Sequence, residues 1–373
     1  MLYDRRSWLQ QSIVALAGLT VSAELFGAPG KAGHSVTDTG LPATTAILLN
    51  SNENAYGPSP LARKAMLDNY TASNRYPDEY IPVLKQKIAD HWKVAPQNVL
   101  IGAGSSEIIG LSTLFAATKN KKIVTAEPGY KSWNGQAAAF GLDFIRVGLT
   151  PEKRTDLPAM LAAINAETSM VYVCNPNNPT GTFVDADSLR SFTLEASKKT
   201  MVFVDEAYTE YAEIPSLADL AIANPNVIVA KTFSKIYGLA GARIGYAIAH
   251  PDTIKKLATY QAWANASVSV LSSAAAMASL DDNTFVNETR KNTEAARKLC
   301  NETFKNLSLE YIPSHTNFMM FNISSLKKNL MKEMEAKNIY VQSRQHFGGE
   351  WCRVSMGTVP EMELFCKALK SIV

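Results

Sequence analysis

From about residue 95 the hydrophobic and polar positions alternate between two patterns. Short runs rich in β-branched residues occupy positions 99–101, 122–126, 144–147, 169–174, 200–204, 227–230 and 244–249, and read as strands. Stretches with helical spacing lie between most of them, at 105–118, 157–165, 186–198 and 216–223. Strand alternating with helix predicts an α/β fold, a three-layer arrangement around a mostly parallel sheet. Beyond Pro251 the chain turns helical and ends in a long polar helix over 283–306. A smaller α+β unit follows, with strands at 317–322, 340–342 and 353–355, a helix over 325–338 and a closing helix from Pro360. The pattern divides the chain into a leading segment 1–30, a linker and N-terminal arm over 31–70, a large domain over 71–275 and a small C-terminal domain over 276–373.

Composition narrows the class. Hydrophobic residues at 46% and charged residues at 19% are a globular balance, and 373 residues bury a core without staples. Four cysteines, none in a CxxC pair, argue against a disulfide scaffold and a zinc site. Five histidines without HxxxH spacing extend that argument to other metals. A formal charge of +3 over this length leaves no nucleic-acid footprint.

The N-terminus carries its own signal. Arg5-Arg6-Ser7-Trp8-Leu9 precedes a moderately apolar stretch, 13–26, which is too short and too weakly apolar to span a bilayer. With small residues at Val21-Ser22-Ala23, the segment reads as a cleavable signal similar to the twin-arginine type of bacteria. That reading implies export of the folded protein to the periplasm, with no stable membrane association after signal removal. The alternative is a cytoplasmic protein with an amphipathic first helix or tail.

Open α/β sheets bind ligands beyond the carboxyl ends of their strands, and here each end delivers a polar cluster. After Cys174 comes Asn175-Pro176-Asn177-Asn178-Pro179-Thr180-Gly181, and after Val204 comes Asp205-Glu206-Ala207-Tyr208. After Ala230 come Lys231-Thr232-Phe233-Ser234-Lys235 and then Gly238-Leu239-Ala240-Gly241-Ala242-Arg243. Gly102-Ala103-Gly104-Ser105-Ser106-Glu107 follows the first strand and opens a helix, where free N–H groups suit an anion. Singly, each has a plainer reading: Lys235 a solvated lysine, Asp205 a helix N-cap, Asn178-Pro179 a turn, Tyr208 a core aromatic. Together they resemble pyridoxal-phosphate enzymes of the aspartate-aminotransferase fold, and among these the histidinol-phosphate aminotransferases. The resemblance runs from Asn52-Glu53-Asn54-Ala55-Tyr56-Gly57, through Arg75-Tyr76-Pro77-Asp78 and Asn317-Phe318, to Arg353-Val354-Ser355-Met356-Gly357-Thr358.

The resemblance implies a role for each residue. Lys235 matches the lysine that holds pyridoxal 5'-phosphate as a Schiff base and, once displaced by the substrate amine, serves as general base. Asp205, 30 residues earlier as in that fold, matches the partner of the ring nitrogen. Tyr208 and Asn178 match donors to the ring hydroxyl. Gly104, Ser105, Ser106, Thr232, Ser234 and Arg243 match the phosphate cradle. Tyr76 matches a tyrosine that reaches the neighbouring subunit's cofactor, which implies a homodimer. Tyr130, with Trp133 as the alternative, matches the aromatic stacked on the ring. Arg353 matches the clamp on the substrate α-carboxylate, with Asn54 and Tyr56 lining the substrate side.

The implied reaction moves an amino group from an L-amino acid, or a histidinol-phosphate-like amine, to a 2-oxo acid. A lyase on the same fold, such as a threonine-phosphate decarboxylase, shares these cofactor motifs. A non-catalytic binding protein should lack one of Lys235, Asp205 or Arg243, and all three are present. One departure bears on substrate. Histidinol-phosphate aminotransferases commonly carry Val-Arg-Pro shortly before the carboxylate arginine, and that earlier arginine helps bind the substrate's phosphate. This chain has Ile339-Tyr340-Val341-Gln342-Ser343-Arg344. Gln342 in that place, together with export, leads to the expectation of a substrate without a phosphate. Arg344 shares a face with Gln342 only if the strand continues past it.

Overall fold

The structure is a computed structural model that describes residues 46–262 and 267–373; the export signal and residues 31–45 of the linker and arm read from the sequence lie outside the described residues. In chain order the first strands are β1 (Ile47–Leu48), β2 (Val99–Gly102), β3 (Lys122–Glu127), β4 (Asp143–Gly148), β5 (Thr168–Cys174), β6 (Met201–Asp205), β7 (Val227–Thr232) and β8 (Gly245–Ala249). The later strands are β9 (Tyr311–Ile312), β10 (Phe318–Asn322), β11 (Ile339–Tyr340), β12 (Gln342–His346) and β13 (Gly349–Ser355).

The large sheet has the order β2-β8-β7-β6-β5-β3-β4 and is parallel except at β8, which runs antiparallel to both neighbours. Every residue of β2, β5, β6, β7 and β8 is buried. That is why their sequences are continuous apolar runs rather than alternations. β4 is an edge strand and exposes Asp143 and Arg146, charges that discourage further pairing. The chain leaves β4 and returns as β5 on the other side of β3. This reversal of strand order opens a crevice between the connections that follow β3 and β5.

A second core gathers β10, β13, the long helix Asn283–Asn306 and the closing helix Val359–Ile372. Its sheet has the order β12-β13-β10-β9, all antiparallel. Part of the stretch read as linker and arm is structured. β1 pairs in parallel with β11, Leu49 is buried in the second core, and the helix Pro60–Asn69 packs on the helix Val270–Asp281. Two differences from the sequence pattern have local causes. The helix expected over 325–338 is confined to Leu330–Glu335, because the Asn329 side chain accepts from the Lys332 N–H and starts the helix there. The single strand expected at 340–342 is split between two sheets: β11 pairs with β1, and β12 pairs with β13 and continues to His346.

Register puts the strand ends level. Cys174 lies opposite Asp205, and Asp205 opposite Ala230. Across β8, Thr232 and Gly102 both lie opposite Gly245. A Cβ on Gly245 would stand 2.5 Å from the Ser105 backbone nitrogen, so the absent side chain lets the glycine turn close over the sheet.

Candidate active site

Beyond these strand ends lies a cavity of ≈ 640 Å³, lined by Tyr130, Asn178, Asp205, Tyr208, Lys235 and Arg353 among others. Asp205 forms its floor. One carboxylate oxygen accepts from the Tyr172 hydroxyl at 2.7 Å, and the other from the Ala207 N–H at 3.1 Å. Burial pushes its proton affinity up, and these two donors with Lys235 pull it back. Tyr172 was not singled out from the sequence, because inside an apolar run it looks like any core aromatic; it stacks on Phe203 and packs against Trp133.

Tyr208 is buried, and its hydroxyl accepts from both Asn178 Nδ2 and Asn52 Nδ2 at 3.2 Å. Asn52 is a second residue the sequence reading passed over. The pairing of β1 with β11 delivers residues 50–52 to the cavity, and Asn52 adopts a left-handed φ of 56°. Its carbonyl accepts from Lys235 Nζ at 3.2 Å and from Asn317 Nδ2 at 3.0 Å.

Two lysines four residues apart have opposite environments. Lys235 Nζ is pushed down to about 8, first by burial and then by Arg353, against the pull of Asp205 and Glu53. Lys231 is 2% exposed and points to the other side. Its Nζ lies 3.1 Å from Glu206 Oε2, 3.0 Å from Glu210 Oε1 and 2.6 Å from Thr209 Oγ1. Burial opposes its charge, but the two carboxylates outweigh burial and hold the ammonium above the ordinary lysine range. Lys235 is therefore the one with an accessible neutral amine, the form that attacks a carbonyl or takes a proton.

Of the expected phosphate cradle, Ser105 lines this cavity and Arg243 lines a second one of ≈ 530 Å³; Gly104 N-caps the helix Ser105–Ala117 with φ 78°. The Glu107 carboxylate accepts from the Ala103 N–H at 2.6 Å and fixes the turn. Arg243 Nη2 lies 3.5 Å from both the Ser106 hydroxyl and the Ala103 carbonyl. A Cβ on Gly104 would meet that Nη2 at 2.5 Å, so a side chain here would displace the guanidinium and also strain the left-handed φ. Thr232 and Ser234 are buried beside them, the Ser234 N–H donating to Thr232 Oγ1 at 3.1 Å.

On the substrate side, Arg353 Nη1 donates to Asn178 Oδ1 at 2.8 Å and Nη2 to the Asn50 carbonyl at 3.1 Å. Its Nε is buried and has no hydrogen-bond partner among the described residues. Tyr130 lines the cavity, whereas Trp133 is buried in the core, its indole N–H donating to the Tyr130 carbonyl. Asn54 and Tyr56 do not line this cavity. Asn54 Nδ2 holds the Ile236 carbonyl at 2.8 Å, and its Oδ1 accepts from the Tyr56 N–H. Tyr76 is 67% exposed and lies outside the cavity lining. The neutral wall expected from Gln342 needs correction. β12 runs on to His346, so Arg344 falls on the same face as Gln342, and both line the cavity.

This donor set fits pyridoxal phosphate. It offers a buried carboxylate for a cationic ring nitrogen, an aromatic wall, a lysine with a lowered pKa, and an arginine-and-hydroxyl cradle at a helix N-terminus that Gly104 keeps open. Residues 44–369 match the family Aminotransferase class I and II. The histidinol-phosphate aminotransferase of Moorella thermoacetica is 35% identical over 332 residues, 88% of this chain and 85% of that protein. A putative histidinol-phosphate aminotransferase from Erwinia carotovora atroseptica superposes with a TM-score of 0.82 at 31% identity, covering 87% of this chain and 95% of that one. The histidinol-phosphate aminotransferase of Sinorhizobium meliloti, solved in complex with pyridoxal-5'-phosphate, gives 0.81 at 29% identity, covering 88% and 90%. The chain belongs to the class I and II aminotransferases, and it is a pyridoxal-phosphate-dependent transaminase.

Proposed function

We propose that this transaminase takes amino acids and 2-oxo acids by their α-carboxylate at Arg353, and that it works as an exported homodimer. The observation that carries the substrate reading is Arg353 itself. Two of its nitrogens donate to Asn178 and Asn50, which fix the guanidinium where it lines the cavity with Lys235. A carboxylate in the cavity is the charge-matched acceptor for a guanidinium held in that way.

Asp205 would hold the ring nitrogen of the cofactor, Asn178 and Tyr208 its hydroxyl, and Tyr130 its face. Ser105, Ser106, Thr232, Ser234, Arg243 and the backbone at Gly104 would hold its phosphate. When bound, pyridoxal phosphate supplies an electron sink for the negative charge that develops at the substrate Cα. Arg353 orients the substrate so that its Cα faces Lys235. Lys235 Nζ, neutral above about pH 8, takes the Cα proton. Asn52 and Asn317 keep that amine in place through the Asn52 carbonyl.

Support for a dimer comes from the surface. Among the described residues, six of the ten large apolar side chains that are exposed fall between Leu48 and Val83, Tyr70 and Tyr76 among them. Exposed apolar side chains of this kind suit burial against a second subunit, and an exposed Tyr76 suits a residue serving a neighbour's site. Export rests on Arg5-Arg6 and the apolar stretch behind it. The substrate reading is tested by Arg353→Ala across several amino-acid donors. A fall of about 2–5 kcal/mol in transition-state binding, shared by charged and uncharged side chains alike, is expected. A variant that keeps wild-type kcat/KM would overturn it.

A further inference from the structure

We propose that Lys231, buried at the end of β7 and turned away from the cavity, is a positioning residue for the reaction: its ammonium clamps the turn that carries Asp205 and Tyr208 and so sets the seat of the cofactor ring. The inference rests on the placement of that ring against Asp205 and Tyr208 given above and deepens it. The chain after β6 is sorted by side. Asp205 and Tyr208 line the cavity, whereas Glu206, Thr209 and Glu210 turn to Lys231. Lys231 is next to last in β7. Adjacent residues of a strand face opposite ways, so it leaves the sheet on the side opposite Thr232 of the phosphate cradle.

The clamp is complete on both sides. The three N–H groups of the ammonium meet three acceptors, on Glu206, Thr209 and Glu210. The Trp92 ring covers Nζ at 4.5 Å, and its indole N–H donates to the hydroxyl of Tyr246, the residue paired with Lys231 across β7 and β8. Glu206 is held at its other end, where its N–H donates to the Ala230 carbonyl at 3.0 Å and its Oε1 accepts from the Leu217 N–H at 2.8 Å. Among the described residues Glu206 Oε2 meets only Lys231. The Thr209 hydroxyl accepts from Lys231 and donates to the Glu206 carbonyl at 3.0 Å. Tyr208 directly precedes the helix Thr209–Ala212, a single turn too short to hold itself. Its placement depends on what pins residues 209 and 210: Lys231 from within, and Arg290 of the long helix, whose Nε donates to the Glu210 carbonyl at 2.9 Å, from outside. A buried ion cluster adds little stability over apolar packing, so what it supplies here is one geometry. It also supplies charge. The Glu206 carboxylate raises the proton affinity of Asp205 beside it, and Lys231 offsets that carboxylate.

The experiment takes the holoenzyme of wild type, Lys231→Met, Lys231→Arg and Thr209→Val. It reads the pH midpoint of the bound cofactor's absorption change, together with kcat and KM for L-glutamate as amino donor. Lys231→Met keeps an apolar stem and leaves Glu206 and Glu210 uncompensated behind Asp205. The added negative charge favours the protonated form of the cofactor, so the midpoint should rise by about half a unit or more. A looser seat for Asp205 and Tyr208 should lower kcat about tenfold with KM changed less than about threefold, because Arg353 is untouched. Lys231→Arg keeps the charge and can reach both carboxylates, and should restore both readouts. Thr209→Val keeps shape and charge but removes one arm of the clamp. It should lower kcat without moving the midpoint, and it decides the matter where Lys231→Met does not fold. A Lys231→Met protein that melts earlier but keeps the wild-type midpoint and kcat overturns the proposal, as does wild-type kcat in Thr209→Val. Failure of the underlying reading looks different: Tyr208→Phe would leave both the midpoint and kcat at wild type.

Discussion

Lys231 and Lys235 leave the same strand end, yet one is held as a permanent cation and the other is poised to lose its proton. The lowered pKa of Lys235 is also a stability statement. Its folded value of about 8 lies below the unfolded value of about 10.4. Between these the unfolded chain binds more protons, so stability contributed by this group rises with pH across that window and is withheld below it. The cofactor-free Lys235→Met variant lacks this titration. Its melting temperature should exceed that of cofactor-free wild type at pH 7, with the gap closing toward pH 10.5; a gap independent of pH would contradict the assignment. Tyr172 gives a second residue-level prediction. Tyr172→Phe removes the 2.7 Å donor to Asp205 and leaves a buried carboxylate short of one bond. A charged hydrogen bond is worth about 1.5–3 kcal/mol. The expected outcome is about tenfold or greater loss in kcat/KM or cofactor affinity, measured by titration of the cofactor-free protein.

Elements meet at the site through glycine and through buried charge. Gly104→Ala asks for a Cβ where Arg243 Nη2 stands and for a φ of 78° that side chains resist. It should weaken cofactor retention in equilibrium dialysis while leaving the sheet intact by circular dichroism. Lys231 joins the end of β7 to Glu206 after β6 and to Glu210 in the short helix beyond, so Lys231→Ala leaves two carboxylates without their buried cation. Removing one partner of a buried pair costs about 3–5 kcal/mol, readable in urea unfolding. The strands of the large sheet were legible to within a residue or two, because strands covered on both faces must be continuously apolar. So were the polar clusters at their ends, because the parallel order carries every carboxyl end to one edge. What stayed hidden was tertiary. Nothing in residues 46–49 reveals that β1 pairs with β11, and so Asn52, rather than Asn54, was not seen as the residue at the cavity. The continuation of β12 through Ser343, Arg344 and Gln345 carries no apolar signal, since its stability comes from pairing with β13.

On the scale of the whole molecule, the proposed dimer is separable from folding, because the apolar residues between Leu48 and Val83 that would serve it are exposed rather than in the core. Leu67, 68% exposed on the helix Pro60–Asn69, has little to lose within one subunit. Leu67→Glu should shift the protein toward monomer in sedimentation velocity while retaining secondary structure. A wild-type monomer at micromolar concentration would remove the dimer from the account. Export makes its own demand. Replacing Arg5 and Arg6 by Lys keeps the charge and should leave active enzyme in the cytoplasm; wild-type enzyme found there with residue 1 intact would exclude an export signal.

The central claim is that four clusters at one sheet edge build a single site around the Lys235 amine. Borohydride reduction of the purified holoenzyme, followed by peptide mapping, tests it most directly, since reduction fixes the pyridoxyl group to whichever lysine carries it. The account predicts one modified peptide, with the label on Lys235. A label on Lys231, four residues away and buried among carboxylates, or on any other lysine, would contradict it.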